Sequence, residues 1–428
     1  MAAPAPRPEA GGLLDAWPAP EGEAGWAAAA RRRAAERLLA RGAPGRRDEY
    51  WRFTNPASLL ALPAASAEVL AEDATPIFEA IDRLRLVFLD GVFAPELSDS
   101  PELDGVEIEP LSSALTKDIH WAREAFGALE GRGQEPVDRP FATLNTARAR
   151  EGFAIRVTGR AARPVSLVYL RRDAGADAQV RHVLRLEAGA DLTLIESGAG
   201  AARFNQVLEA EIGEGAALHH VRTQGRDHGR RAATALFARL GRAATFKSFT
   251  LTLNGRLTRN EAVIEFAGDD AVAHVAGACV GDGDFHHDDT VFVTHGALGC
   301  ESRQVFKKVL RAGAVGVFQG KILVQPVAQK TDGYQISQAL LLDDDSQFLA
   351  KPELEIYADD VACSHGSTCG AVDEHMLFYL TSRGIPRAEA EELLVLAFLD
   401  EAIAEIEDAR IAAGMRERLA AWLARRRG

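Results

Sequence analysis

Cysteine is scarce and unevenly placed. The 428-residue chain has four, at Cys279, Cys300, Cys363 and Cys369, and none in its first 278 residues. Disulfide frameworks staple small secreted domains, and a chain of this length with so few thiols does not read as one. No Cys-x-x-Cys occurs, so the paired spacing of structural zinc sites is missing as well. Basic charge is outnumbered, with 49 Lys and Arg against 62 Asp and Glu for a net charge of -13. A phosphate backbone needs a basic footprint, so nucleic acid is not an expected partner. No apolar run approaches the roughly 20 residues that cross a bilayer. The N-terminus lacks the apolar core of a signal peptide, and its Glu9, Asp15, Glu21 and Glu23 argue against a transit peptide. Gly320-Lys321 is followed by Ile322, which is not a phosphate loop, so no nucleotide is expected on this chain. No Gly-x-Ser-x-Gly elbow is present. These absences leave a soluble, cytoplasmic protein with reduced thiols as the expectation.

What is present is an ordinary globular composition, 47% hydrophobic and 26% charged, with ample material for a core. Residues 1–25 are rich in Pro, Gly and Ala without a period and are expected to form a disordered tail. A helical region with one hairpin is expected over 26–148. Its first helix fits Trp26 to Gly42, with the arginines on a solvated face and Gly42 and Pro44 as terminators. Two apolar strands flank Asp90-Gly91, a type I′ turn dipeptide. The stretch 42–55, dense in charge and aromatics, suggests no chemistry of its own.

From 151 to 370 the texture changes. Short apolar runs alternate with Gly- and Asp-rich turns, and the turn glycines Gly189, Gly215, Gly241, Gly268 and Gly296 are spaced 26, 26, 27 and 28 apart. A near-constant period is a repeat signature. Each period has room for two or three strands of four to six residues and no helix, which excludes βαβ units. A β-sandwich is the competing fold, but a near-fixed coil length favours a parallel β-helix. Residues 371–428 then read as a C-terminal helical domain of three helices, with Asp373 and Glu374 opening the first and Arg425 to Arg427 suiting the dipole of the last.

Three clusters bear reactive side chains. His286, His287, Asp288, Asp289 and His295 are of metal-ligand type. Neighbours on a strand point to opposite faces, so His286 and His287 do not share one ion; a polar outer face of the β-helix is the plainer reading. Lys307, Lys308 and Lys321 lie on an amphipathic strand–turn–strand run. The third cluster, in "IYADDVACSHGSTCG", puts Cys363, His365 and Cys369 within seven residues. A metal site, a redox pair, a Cys-His nucleophile and an ordinary strand end all stay open from the residues alone. Cys363 and His365, two apart on a strand, share a face and could both bind a borderline metal such as iron. Their backbone separation of roughly 6.5 to 7 Å is awkward for a nucleophile and its base. Cys369 is expected beyond the strand end.

The run "KPELEIYADDVACSHGSTCGAVDEHMLFYLTSRGIPRAEAEELLVLAFLDE" resembles the C-terminal signature of the SufB/SufD family of iron–sulfur cluster assembly. The likeness continues upstream through "SRQVFKKVLRAGAVGVFQGKILVQPVAQKTDGYQISQALLL" and into "GAPGRRDEYWRFT" and "RLVFLDGVFAPEL". The absence of N-terminal cysteines places it nearer the SufD branch than the SufB branch. The resemblance implies a mainly β fold, with a right-handed parallel β-helix core between N- and C-terminal helical regions. It implies a scaffold subunit rather than an enzyme. SufB would pair through the β-helix edge, and the ATPase SufC would dock on the C-terminal helical domain. A transient Fe–S cluster would be built at the SufB interface on His365, with Cys363 as the weaker ligand. Ser382, Arg383, Gly384, Phe398 and Glu401 match the region that contacts SufC. Competing readings are a SufB-like or homodimeric scaffold role, a β-helix carbohydrate-active enzyme, and a hydrolase using Cys363 and His365.

Overall fold

The computed structural model describes residues 10–70 and 77–424. The segment expected as a disordered tail is ordered over part of its length. Gly11–Ala16 is a helix whose Leu13 and Leu14 are buried against Leu38 and Leu144. Two adjacent leucines anchor a segment that composition alone reads as irregular; residues 1–9 lie outside the described residues. The next helix, Gly25–Arg41, ends as expected at Gly42, where φ is 81° and the N–H bonds to the Leu38 carbonyl. Its arginines are not all solvated. Arg31 is buried and grips Glu23 through Nε at 2.7 Å and Nη2 at 2.8 Å. The hairpin also forms, Leu84–Leu89 against Val92–Phe93, with Asp90 and Gly91 both at positive φ as a type I′ turn requires.

The core is a parallel β-solenoid of about seven turns. Each turn contributes one strand to each of two sheets. The first sheet begins at the hairpin and ends at Val361–Gly370, and the second begins at Val106–Pro110 and ends at Gln347–Ile356. From Asp177 onward the strands run eight to eleven residues, longer than the sequence suggested. The reason is burial on both faces. Parallel strands covered on both sides need not alternate, and interior polar residues that bond one another do not break the strand. The coil grows along the stack: Asp177 pairs with Arg203, 26 residues on, whereas Val315 pairs with Gln347, 32 residues on.

Helical regions cover the outer faces. Tyr50, Trp51 and Thr54 lie over the second sheet, where Arg259 Nη1 bonds the Tyr50 carbonyl at 2.8 Å and stacks 4.1 Å over the Trp51 ring. The stretch 42–55 is thus a cover for the solenoid wall. On the first sheet, Val221, Phe249, Leu251 and Val309 pack against Val395, Leu399, Met415 and Leu419. These last four come from the helices Arg387–Ile403 and Ala409–Ala424. Arg425 to Arg427 lie outside the described residues.

Candidate functional site at the open end of the solenoid

Val361–Gly370 pairs in parallel with Thr331–Leu341 and is the terminal strand of its sheet. Its other edge has no strand partner among the described residues. Cys363 lies opposite Gly333, His365 opposite Gln335, Ser367 opposite Ser337, and Cys369 opposite Ala339. Strand alternation therefore puts all four on one face. That face points into the coil: Cys363 packs with Ile322, Val324 and Leu354 of the second sheet. Gly333 makes the room, since a Cβ there would lie 3.2 Å from Cys363 Sγ. Cys363 is half-buried, while His365 and Cys369 are exposed.

The expectation for Cys369 is corrected here. It sits within the strand rather than beyond it, because the ladder runs on to the Leu340–Gly370 pair. The row thus holds two thiols and one imidazole at spacings of two and four residues. Burial, helped by Asp332, pushes the Cys363 thiol up from its ordinary value. Binding a metal there would displace a proton. Below the row, Gln335 Nε2 donates to Gln304 Oε1 at 3.0 Å, and Ser337 and Ser367 hydroxyls meet at 2.7 Å. Gln335 Oε1 and Gln304 Nε2 are buried without a partner. Among the described residues no three His, Cys, Asp or Glu side chains come close enough to hold an ion.

The cluster around residue 287 is not a polar outer surface, as the sequence suggested. His287 and Asp289 point into the solenoid and His286 and Asp288 point out, the alternation predicted, but both sides are covered. Inside, Lys308 Nζ lies 2.8 Å from His287 Nδ1 and 2.5 Å from Asp289 Oδ2. Burial, with Lys308 adding to it against the pull of Asp289, holds His287 down to about 3. Burial also favours a neutral Asp289, but His287 and Lys308 outweigh it and keep the carboxyl below its usual range. The site is a neutral imidazole beside a buried ion pair. Outside, Thr54 Oγ1 donates to Asp288 Oδ2 at 2.6 Å, beneath the N-terminal cover. Cys279 is fully buried next to Lys308, and burial pushes its thiol up to about 12. Cys300 is also buried.

The C-terminal residues divide into two places. Ser382 closes the helix Glu374–Thr381, with its hydroxyl donating to the Tyr379 carbonyl at 2.9 Å. Arg383 stacks 3.5 Å over the Tyr379 ring, and Gly384 takes a φ of 88° at the turn. Phe398 and Glu401 instead meet the solenoid wall. Lys307 Nζ lies 4.6 Å from the centroid of the Phe398 ring and forms an ion pair with Glu401. Lys321, the third lysine of that run, pairs with Glu355 at 2.6 Å. Sequence reading passed over the exposed Phe378, Tyr379 and Met376, of which Phe378 is 73% exposed. The available signal was a helix of eight residues, "EHMLFYLT", with apolar side chains on most of its faces; only one of them, Leu377, is buried.

Residues 169–398 match the family model described as SUF system FeS cluster assembly, SufBD core domain. The iron–sulfur cluster assembly protein SufD of Escherichia coli K12 is 28% identical over 87% of this chain and 88% of its own length. The SufBD family protein slr0076 of Synechocystis is 29% identical over 87% of this chain and 86% of its own. Protein ABCI7, chloroplastic, of Arabidopsis thaliana is 24% identical over 88% and 82% respectively.

Proposed function

The chain belongs to the SufBD family of iron–sulfur cluster assembly proteins, and on that premise we propose that it is a SufD-like scaffold subunit rather than an enzyme. One observation carries the reading. Among the described residues, the last strand of the solenoid keeps a free edge, and it sets Cys363, His365 and Cys369 in one row at the open end. A free strand edge pairs with a strand of another chain. Thiolate and imidazole are the ligand types of Fe–S centres. A row too sparse to enclose a cluster is completed by ligands from the subunit that pairs with the edge. That subunit is SufB in this reading, and the nascent cluster is cargo held between the two. His365, exposed in the middle of the row, is the principal ligand. Cys363 is the supporting one, and its proton must leave first.

The ATPase SufC docks on the C-terminal helices. The exposed Phe378 and Tyr379, with the Ser382–Gly384 turn beside them, form the outward surface there. Phe398 and Glu401 act one step behind it, tying the docking helix to the first sheet through Lys307. ATP hydrolysis belongs to SufC, and this chain binds no nucleotide. In this reading the work is done in the cytoplasm.

The test is co-expression of this chain with SufB and SufC of the same organism. All three are expected to purify together. The His365→Ala variant should assemble the same complex and form cluster at least about tenfold less well, the scale of losing a metal-site group. Unchanged cluster yield in that variant, or failure of the wild-type chain to co-purify, sinks the proposal.

A further inference from the structure

Beneath His365 the lumen holds two buried amides. Gln335 stands opposite His365 on the neighbouring strand, and Gln304 stands opposite Gln335 on the next. Strand alternation turns all three into the coil, on the same face as Cys363. Both glutamines are fully buried. Gln335 Nε2 donates to Gln304 Oε1 at 3.0 Å, while Gln335 Oε1 has no partner.

The surroundings of that oxygen are apolar. Across the coil lies Gly320, where a Cβ would collide with Gln335 Nε2. That position supplies room for the amide and no polar side chain. Phe318 and Ile322, two places to either side of Gly320, are buried, and so is Phe306, two places beyond Gln304. The rung below Gln304 is Val275. A hydrocarbon side chain would suit such a lumen better than an amide. Buried acceptors without donors are few in folded proteins, and each calls for a reason. On its own ladder Gln335 has two neighbours, Gln304 and His365. Gln304 is already bonded, so the imidazole is the donor left to it.

A metal-bound imidazole uses one ring nitrogen as ligand and carries a proton on the other. That second N–H is nearly always given to an acceptor, which fixes the tautomer and the angle of the ring. Neighbouring rungs are about 4.8 Å apart, within reach of a rotated imidazole. The hydroxyl of Ser367, next along the row, is taken up with Ser337 at 2.7 Å.

Resting on the cluster-site reading above, we propose that Gln335 is the positioning residue of His365. Its Oε1 accepts the imidazole N–H when the cluster is seated, and the other ring nitrogen faces the metal. Gln304 holds the amide in the required sense. By taking Gln335 Nε2, it leaves oxygen and not N–H for His365.

The experiment titrates Co²⁺ into the cluster-free complex of this chain with SufB and SufC, followed by the visible absorption of the bound ion, with cluster yield measured beside it. Gln335→Met and Gln304→Met break the same hydrogen bond, so their melting temperatures should fall alike. Only Gln335→Met removes the acceptor under His365, and it should bind Co²⁺ at least about tenfold more weakly, the scale of losing the partner of a metal-bound histidine. Gln304→Met should bind as the wild type does, and Gln335→Glu, which returns an acceptor, should recover the binding. Undiminished Co²⁺ affinity in Gln335→Met overturns the assignment, and so does an equal loss in Gln304→Met, which would mark a purely structural pair. In either case a loss of binding in His365→Ala leaves the scaffold reading standing. Co²⁺ binding that is unchanged in His365→Ala overturns both.

Discussion

The two ends of the solenoid are finished in opposite ways. At the N-terminal end both sheets are closed by antiparallel strands, Val92–Phe93 on one and Val106–Pro110 on the other. The capping strands are short, and the second carries Glu107, Glu109 and Pro110, residues that discourage further pairing. Behind them the lumen is plugged by rings: Phe88 lies 5.4 Å from Phe153, and Phe93 4.9 Å from Phe153. At the C-terminal end both sheets stop on parallel strands of ten residues, and among the described residues neither strand has a further partner and no ring plugs the row of Cys363, His365 and Cys369. The same fold supplies both ends. Closing one costs aromatic residues and two short strands, and leaving the other open exposes groups that bind metal and backbone that binds a neighbour. The difference separates residues kept for stability from residues kept for assembly.

That separation can be attacked by mutation. The largest effect is expected at the closed end, where Phe88→Ala should lower unfolding free energy by about 3–5 kcal/mol, read by denaturant titration. A loss below about 1 kcal/mol would mean that the plug does not secure the stack.

A middle effect comes from the lumen that joins the ends. Burial holds His182 to about 4, His287 to about 3 and His295 to about 4, all from an ordinary 6.5. In the unfolded chain these imidazoles take up protons near pH 6.5, but in the folded chain only near pH 4 or below. Stability is therefore full above pH 6.5 and falls as pH drops through that window, by about 1.4 kcal/mol per pH unit for each imidazole. Urea midpoints compared at pH 7 and pH 6 measure this, with an expected loss of about 2 kcal/mol for the three together, and a midpoint that rises on acidification contradicts it.

The smallest effect on the isolated chain is expected at the open end. Ser364 lies on the edge strand and faces away from the Cys363–His365 row. Ser364→Lys should change stability by no more than about 0.5 kcal/mol, yet weaken pairing with SufB, since lysine on a strand edge resists a second strand. Size-exclusion of the co-expressed complex reads the outcome. Intact pairing would show that SufB does not use this edge.

Much of this asymmetry was readable in the residues. The glycine spacing exposed the coil because each glycine follows a strand of the second sheet within three residues of its end. The Asp90-Gly91 hairpin followed from turn chemistry. Alternation placed Cys363 and His365 on one face. Other features were hidden for physical reasons. Lys308, His287 and Asp289 are charged or polar types that ordinarily face water, and only the pairing of two distant strands reveals that they satisfy one another inside. Tyr50, Trp51 and Thr54 acquire meaning through Arg259 and Asp288, more than 200 residues away in the chain. Cys369 was misplaced because strand length is set by the neighbouring strand, not by local composition.

The last coil also has a thermodynamic consequence. In a stack whose units touch only their neighbours, each inner coil is held from two sides and a terminal coil from one. The N-terminal coil has its antiparallel caps as a substitute; the C-terminal coil has none among the described residues. Local opening, and with it amide exchange, is therefore cheapest at Val361–Gly370. The ligand row sits on the segment that frays first, and a partner strand added there would act as the missing neighbour. Assembly and local folding of the site then become a single equilibrium.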